Sequence, residues 1–185
     1  MNILHIDSCA LGDHSSSRQS TAAAAAALMA THEQATFQYR DLAAAPLSHA
    51  SGPLLQVLSD RWNSEIPMNA ELSAEVLQSV SLMQEFVEAD IVLIGAPMHN
   101  FSVPSTLKAW LDRLLELCAT ANRERLAYVR VLLTTSGCTD VAQEDMLTHH
   151  ENQLIAAFRF IGVEQVSIVR NALELQRPGA FQAAA

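Results

Sequence analysis

The chain has 185 residues, of which 50% are hydrophobic and 5% aromatic, and its formal net charge is -9. This length suits one domain, and the excess of aliphatic over aromatic residues favours a helix-rich α/β architecture over an all-β fold. An acidic chain without a Lys/Arg cluster is a poor partner for nucleic acid or anionic lipid, because both require a basic surface.

The sequence also argues against export, a membrane span and a metal centre. Residues 1–7 lack the basic region and long apolar run of a signal peptide, and no stretch approaches the roughly 20 apolar residues of a spanning helix. The three cysteines are widely spaced, which predicts neither a disulfide framework nor a zinc site. We therefore expect reduced thiols, a cytoplasmic location and no bound metal.

The first third of the chain predicts two strands separated by a helix. Residues 3–6 form a short apolar run, and the serines at 15–17 suit the cap of a helix that continues through the alanine tract 22–27. Residues 36–40 alternate in character and predict a second strand. The Ala- and Pro-containing residues 41–53 predict a surface connection.

The middle third predicts two helices around a buried strand. Residues 71–87 carry apolar side chains at helical spacing, namely Leu72, Val76, Val80, Met83 and Val87. Residues 91–94 are uniformly apolar, which is typical of a strand buried on both faces of a parallel sheet. Pro104 suits the first turn of a helix that continues to residue 117.

The last third completes a repeated strand–helix alternation. Residues 128–133 and 166–169 predict strands, residues 144–161 predict a helix that stops at Gly162, and the tail after residue 178 is expected to be loose. The order βαβαβαβαβ predicts one α/β domain over residues 1–185, with a five-stranded parallel sheet and helices on both faces.

Ligands of open parallel sheets bind at the carboxyl ends of the strands, which here are followed by residues 7–17, 95–101 and 134–139. The first segment offers hydroxyls and helix N-terminal amides that suit a phosphate, although an ordinary serine-rich cap fits the same residues. The segment is not GxGxxG, which disfavours a dinucleotide site. Cys9 lacks an arginine six residues later, so we expect a small, semi-buried side chain rather than a phosphatase nucleophile.

Residues 97–113 carry a more specific pattern, Pro-Met-His-Asn-Phe followed by Ser-Val-Pro-Ser-Thr-Leu-Lys-Ala-Trp-Leu-Asp-Arg. This stretch resembles the flavin-binding signature of the FMN-dependent NADH-azoreductase family, in the flavodoxin-like quinone reductase group, with His99 in place of the usual Tyr. The serine-rich first segment is similar to the family's phosphate loop, and residues 135–138 occupy the position of its third flavin loop.

The resemblance implies a flavodoxin-like three-layer sandwich that binds FMN and passes electrons from NADH or NADPH to a quinone or azo compound by a ping-pong mechanism. It implies a homodimer that pairs across helices flanking the cofactor, for which the apolar positions of helix 107–117 are suited. No catalytic acid or base is implied. The implied cofactor-binding residues are Ser8, Cys9, Ser15, Ser16, Ser17, Met98, His99, Asn100, Phe101, Thr135, Ser136, Gly137 and Cys138.

Two other functions stay open on the sequence. Cys9 and Cys138 replace the family's usual Ser and Gly and residues 114–126 are short, which is compatible with a flavodoxin-like FMN-binding module or a degenerate, non-catalytic member. Relatives of this family have also been labelled acyl carrier protein phosphodiesterases, but the chain shows no metal cluster or nucleophile–base pair for hydrolysis.

Several individual side chains allow two interpretations. The run His149-His150-Glu151 predicts a solvated helix face rather than a metal site, because adjacent helical residues point in different directions. His99 is interpreted as a residue whose backbone alone matters, with proton donation to an acceptor as the alternative. Trp62 and Met68 either pack or line an acceptor site, and Trp110 is expected in the core or at a dimer contact.

Overall fold

The five predicted strands are present and form one parallel sheet. A computed structural model describes residues 1–61, 67–136 and 141–170 of the chain. The strands occur in the spatial order β2-β1-β3-β4-β5, and every neighbouring pair is parallel. They are β1 (Asn2–Asp7), β2 (Thr36–Asp41), β3 (Ile91–Gly95), β4 (Arg130–Thr134) and β5 (Gln165–Val169).

The four predicted helices are also confirmed, and two short ones were missed. The helices are α1 (Ser16–Thr31), α2 (Gly52–Leu58), α3 (Ala70–Glu88), α4 (Ser105–Leu117), α5 (Arg123–Leu126) and α6 (Val141–Ile161), with a 3-10 turn at Gly12–His14. The predicted connection 41–53 therefore ends in α2, whose start carries the cap Ser51 and a proline in the first turn. The four-residue α5 lies between α4 and β4, at the end of the short segment 114–126.

Local chemistry sets the helix ends. The side chains of Ser15, Ser51 and Asn69 each accept a hydrogen bond from a first-turn amide, as N-caps do. Pro104 is itself the N-cap residue of α4 rather than a first-turn residue. Gly162 follows α6 with a φ of 121°, a backbone conformation that favours glycine.

Helices cover both faces of the sheet, as the βα alternation predicts. Alternate strand residues such as Leu4, Ile6 and Val92 pack in one large core with residues of α3, α4 and α6. The intervening residues such as Ile3 and Leu93 pack with Leu28 of α1 on the other face. Because successive side chains of a strand point to opposite faces of the sheet, the apolar residues of the same strands contribute to two separate cores.

The buried stripe of α3 differs from the predicted one. The buried residues of this helix are Leu72, Ser79, Leu82, Met83 and Phe86, whereas Val80 is 45% exposed. The predicted stripe therefore lies partly at the edge of the interface, because α3 packs against the sheet and α4 through a neighbouring row of side chains. The core that results is aromatic at its centre, where Phe86, Trp110 and Phe158 join α3, α4 and α6.

Trp110 is 1% exposed, which confirms the core alternative for this residue. Met68 is 45% exposed. Trp62 and the tail predicted to be loose lie outside the described residues. Within the described ranges, no helix is long and apolar enough to cross a membrane.

Candidate active site

Three strand ends meet at one point of the sheet edge. Asp7 at the end of β1 pairs with Gly95 of β3, which pairs with Thr134 of β4. The chain leaves β1 toward β2 on one side and returns to β3 on the other, so this point is the topological switch of the sheet. All three predicted binding segments therefore begin side by side, at the place where open α/β sheets bind ligands.

The start of the first segment links the ends of β1 and β3 by hydrogen bonds. Ser8 is 1% exposed, its hydroxyl donates to the Gly95 carbonyl at 2.6 Å, and its own carbonyl accepts from the Thr106 hydroxyl at 3.0 Å. The Ser8 side chain thus joins β1 to β3. Cys9 is also 1% exposed, which agrees with the prediction of a small buried side chain rather than an exposed nucleophile.

The N-terminus of α1 presents the donor set that was expected to suit a phosphate. The Ser15 hydroxyl accepts from the Arg18 amide at 3.3 Å and lies 2.9 Å from the Ser17 hydroxyl, while Ser16 is exposed at the first helical position. First-turn amides have no partners within their own helix, and the helix dipole adds positive potential there. Together these groups can hold an anion.

Arg18, the nearest cation, is engaged within the protein. Its guanidinium binds both carboxylate oxygens of Asp41 at 2.7 and 2.8 Å and donates twice to the Cys9 carbonyl, at 3.1 and 2.9 Å. The hydrogen bond to Asp41 raises the pKa of Arg18, and the reciprocal bond lowers the pKa of Asp41 to about 2. Arg18 therefore anchors the first segment to β2, and its charge is engaged by groups of the protein itself.

A second carboxylate, Asp7, is buried beneath this segment at 4% exposure. It accepts hydrogen bonds from the hydroxyls of Thr21, at 2.8 Å, and Tyr39, at 3.1 Å. Burial, and after it the charge of Asp7, raises the pKa of Tyr39 to about 12. A Cβ atom on Gly95 would lie 2.8 Å from an Asp7 carboxylate oxygen, so a larger residue at the end of β3 would force the Asp7 side chain to shift.

The second segment continues β3 into a tight turn. The amides of Ala96 and Met98 donate to the carbonyls of Thr134 and Ser136, each at 2.9 Å, which extends the β3–β4 pairing past the strand ends. His99 and Ser102 then exchange both backbone hydrogen bonds around Asn100 and Phe101, whose φ angles are 46° and 68°. Two central residues with positive φ are typical of a type I′ turn.

The turn decides which predicted backbone donors are accessible. Met98 and His99 are among the implied cofactor-binding residues, but their amides donate to the carbonyls of Ser136 and Ser102. The amides of Asn100 and Phe101 have no hydrogen-bond partner within the described part of the chain. Phe101 is 66% exposed, and a phenylalanine in the left-handed region is conformationally costly, a feature that concentrates at functional sites.

One side-chain contact joins the first two segments. The Cys9 sulfur lies 3.5 Å from Nε2 of His99, within hydrogen-bonding distance for a sulfur atom. His99 is half-buried, so its ring is partly covered by the first segment rather than free in solvent. The ring thus has a defined partner as well as the backbone role that the sequence favoured.

The third segment is held from beneath by α6. The Thr135 hydroxyl donates to the Glu151 carboxylate at 2.6 Å, and the Arg170 guanidinium donates to both oxygens of the same carboxylate. Burial raises the pKa of Glu151, but the bonds from Arg170 and Thr135 outweigh it and lower the pKa overall. The Thr135 hydroxyl proton is therefore engaged, and Ser136 is the half-buried residue that follows it. The predicted site residues Gly137 and Cys138 lie outside the described residues.

The prediction of a solvated face at residues 149–151 is wrong for two of the three side chains. His149 is exposed, but His150 is 0% and Glu151 6% exposed, and Nε2 of His150 lies 3.0 Å from the Ala96 carbonyl oxygen. The helical spacing of the apolar Leu147, Leu154 and Phe158 places residues 150 and 151 on the buried face, a signal that was available in the sequence. Within the described ranges, no group of three metal-ligating side chains is present.

These residues border the crevice at the carboxyl edge of the sheet. The α1 N-terminus supplies first-turn amides that can hold an anion, and the turn at residues 99–102 supplies an exposed aromatic side chain and two amides without a partner in the described residues. No acid–base triad is assembled in the described residues. The arrangement suits binding of a phosphorylated ring compound that brings its own reactivity.

Comparison with known proteins agrees with this description. The profile of the Flavodoxin_2 family, described as having a flavodoxin-like fold, matches residues 1–185. A protein of Methylocella silvestris named FMN-dependent NADH:quinone oxidoreductase is 42% identical over 179 residues, which cover 92% of this chain and 86% of the relative. A protein of the same name from Rhizobium meliloti is 38% identical over 178 residues, covering 92% and 84%.

The fold also has solved counterparts. An FMN-dependent NADH-azoreductase from Bacillus anthracis, solved in complex with FMN, superposes with a TM-score of 0.73 at 18% identity, covering 95% of this chain and 92% of the other. The resemblance drawn from residues 97–113 is thereby confirmed. The chain belongs to the Flavodoxin_2 family of flavodoxin-like fold, in the group of sequences named FMN-dependent NADH:quinone oxidoreductase.

Proposed function

We propose that this protein is an FMN-dependent oxidoreductase that transfers electrons from NADH or NADPH to quinones or azo compounds by a ping-pong mechanism. The observation that carries the proposal is the meeting of Asp7, Gly95 and Thr134 at one sheet edge, where the first segment contacts the turn at residues 99–102 through Cys9 and His99. The relatives' names, which include FMN, NADH and quinone, support it.

The predicted site residues then have distinct tasks. The hydroxyls and first-turn amides of residues 15–17 hold the phosphate, with the Arg18–Asp41 pair fixing the loop behind them. The amides of Asn100 and Phe101 and the Asn100 side chain donate to the polar edge of the ring. Ser8, Cys9 and Met98 keep these donors in place through bonds among the three segments, and Thr135 is held by Glu151 of α6.

When bound, the flavin supplies the hydride and electron transfer that amino-acid side chains do not perform. The chain's part is to fix the ring, exclude water and leave one face accessible to nicotinamide and acceptor in turn. The exposed Phe101 ring lies at this opening and offers an apolar surface to a flat acceptor. Since both substrates use one face, ping-pong kinetics follow.

We further propose a cytoplasmic homodimer. Cys9 and Cys118 are free thiols, which suits a reducing compartment that supplies NADH. The apolar positions of helix 107–117 do not provide the dimer surface as expected, because Leu107, Leu111 and Leu114 are buried in the monomer core. Sedimentation equilibrium is expected to give twice the chain mass of 20.1 kDa, and a single chain mass would contradict the dimer.

The function is tested by adding FMN to the purified protein and following NADH oxidation with and without a quinone. We expect retained flavin absorbance and quinone-dependent turnover. Bound, reducible FMN without turnover would instead assign a non-catalytic FMN-binding module. No flavin uptake at micromolar concentrations would contradict both functions.

The phosphate position is tested by a pair of cap variants. Ser15→Ala removes an N-cap at the crevice, whereas Ser51→Ala removes the equivalent cap of α2, and each loss costs about 1 kcal/mol of stability. We expect Ser15→Ala to weaken FMN binding about tenfold and Ser51→Ala to leave it unchanged. Equal FMN affinity in the two variants would show that the α1 N-terminus does not bind the phosphate.

A further inference from the structure

A histidine of α6 lies beneath the crevice in a position otherwise occupied by apolar side chains. His150 is 0% exposed and shares its helix face with Leu147 and Leu154, which are 4% and 1% exposed. Burying an imidazole costs free energy unless its polar atoms are bonded. The polar contact that His150 makes therefore indicates why a histidine stands there.

That contact fixes the tautomer of the ring. Nε2 lies 3.0 Å from the Ala96 carbonyl oxygen, and a carbonyl oxygen only accepts hydrogen bonds. Nε2 must therefore carry the proton. Nδ1 is buried and has no partner within the described residues, and burial lowers the pKa of His150, so the ring is neutral and Nε2-protonated near pH 7.

The Ala96 carbonyl lies one residue past the end of β3, in the second segment. The following residue is Pro97, which has no backbone N–H, so the Ala96 carbonyl is the hydrogen-bonding group of the Ala96–Pro97 peptide. The Ser8 hydroxyl holds the Gly95 carbonyl at 2.6 Å, and the Met98 amide donates to the Ser136 carbonyl at 2.9 Å. Between these two bonds, His150 is the side chain that fixes the orientation of the Ala96–Pro97 peptide.

We infer that His150 is a positioning residue of the active site, whose Nε2–H bond to the Ala96 carbonyl sets the direction of the turn at residues 99–102. Changing the direction of that peptide displaces the Asn100 and Phe101 amides, about four residues further along the chain. The inference deepens the proposed function, and it rests on that function only for the identity of the ligand as FMN. The orientation of the turn itself is measurable without cofactor.

The experiment compares four proteins: the wild type, His150→Gln, His150→Leu and His149→Leu. The Gln amide nitrogen takes the place of Nε2 and can donate to the Ala96 carbonyl, whereas Leu fills the space and donates nothing. His149→Leu changes the exposed neighbour on the same helix and serves as the control. The readouts are thermal unfolding, FMN affinity by fluorescence quenching, and hydrogen–deuterium exchange of the Met98 amide in the FMN-free protein.

We expect His150→Leu to weaken FMN binding about tenfold and to speed Met98 exchange, while His150→Gln and His149→Leu stay within about threefold of wild type in both. Unchanged binding and exchange in His150→Leu would overturn the inference. So would equal losses in His150→Gln and His150→Leu, because these would indicate a role in packing rather than in hydrogen bonding. If the wild type takes up no FMN, the proposed function fails, and Met98 exchange alone decides whether His150 orients the turn.

Discussion

At the scale of single residues, the Arg18–Asp41 pair shows how charge holds the first binding segment. Arg18 is the basic residue nearest the serine-rich first segment, yet its guanidinium is bidentate to Asp41, joining α1 to β2. The Asp41 side chain is 21% exposed, so the pair is shielded from solvent more than surface ion pairs are. The pair therefore contributes to stability in a way that depends on pH.

We expect Asp41→Asn to lower the free energy of unfolding at pH 6 by about 1 to 2 kcal/mol. The folded pKa of Asp41 is about 2 against an ordinary 3.8, so its stabilisation is complete above about pH 4 and is lost as the pH falls toward 2. Urea unfolding should therefore show the difference between wild type and variant shrinking as the pH falls from about 5 to 2.5. Glu33→Gln, at an exposed carboxylate, should show no such trend, and a constant difference for Asp41→Asn would contradict the assignment.

A substitution at Gly95 tests how closely the first and second binding segments approach each other. A methyl group there would meet an Asp7 carboxylate oxygen at 2.8 Å, so Gly95→Ala should destabilise the protein by about 1 to 3 kcal/mol and weaken FMN binding as Asp7 and α1 shift. Gly52→Ala is the matched control, since a Cβ at that position meets no atom within 4 Å. Denaturant unfolding measures the stability of both variants, and FMN titration measures their affinity for the cofactor. Equal stability of the two would show that β3 relaxes without cost.

At the scale of elements, α6 supports the site as well as the core. One face of this helix carries Leu154 and Phe158 into the aromatic core with Trp110, and the turns before them carry His150 and Glu151 to the second and third segments. A helix that serves core and site together transmits a packing defect to the crevice.

Phe158→Ala should therefore lower the free energy of unfolding by about 3 to 5 kcal/mol, because it removes a side chain that is 0% exposed and packs against both Phe86 and Trp110. Phe160→Ala, two residues further along at 63% exposure, should change it by less than about 1 kcal/mol. Chemical denaturation measures both. Comparable losses of stability in the two variants would indicate that α6 turns a different face toward the core.

At the scale of the whole molecule, the fold and the cofactor are expected to stabilise one another. FMN at about 100 times its Kd should add roughly 2.7 kcal/mol, equivalent to a rise in Tm of roughly 5 to 10 °C for a chain of this size. Riboflavin lacks the phosphate that the α1 N-terminus is proposed to hold, so it should give a markedly smaller rise. Thermal unfolding with each compound makes the comparison, and identical shifts would argue against phosphate binding at α1.

Particular elements show how far the sequence reaches. The uniformly apolar run at residues 91–94 predicted a doubly covered strand, and β3 is buried along its whole length. The cap at Ser15 and the stop at Gly162 were also predicted, because each depends on a few adjacent residues. The short α2 and α5 were missed, since a helix of seven or four residues leaves too little periodicity to detect.

The sequence by itself determined the order of strands and helices, the sheet edge where the three segments lie, and the family, because periodicity, caps and motifs are local properties of the chain. Only the tertiary structure decided the partners: that Arg18 is bound to Asp41, that Met98 and His99 have engaged amides, and that His150 and Glu151 are bonded to Ala96 and Thr135. Apart from the local bond between His99 and Ser102, these contacts join residues 16 to 54 positions apart. Their geometry depends on how helices pack across a twisted sheet, which no local pattern contains.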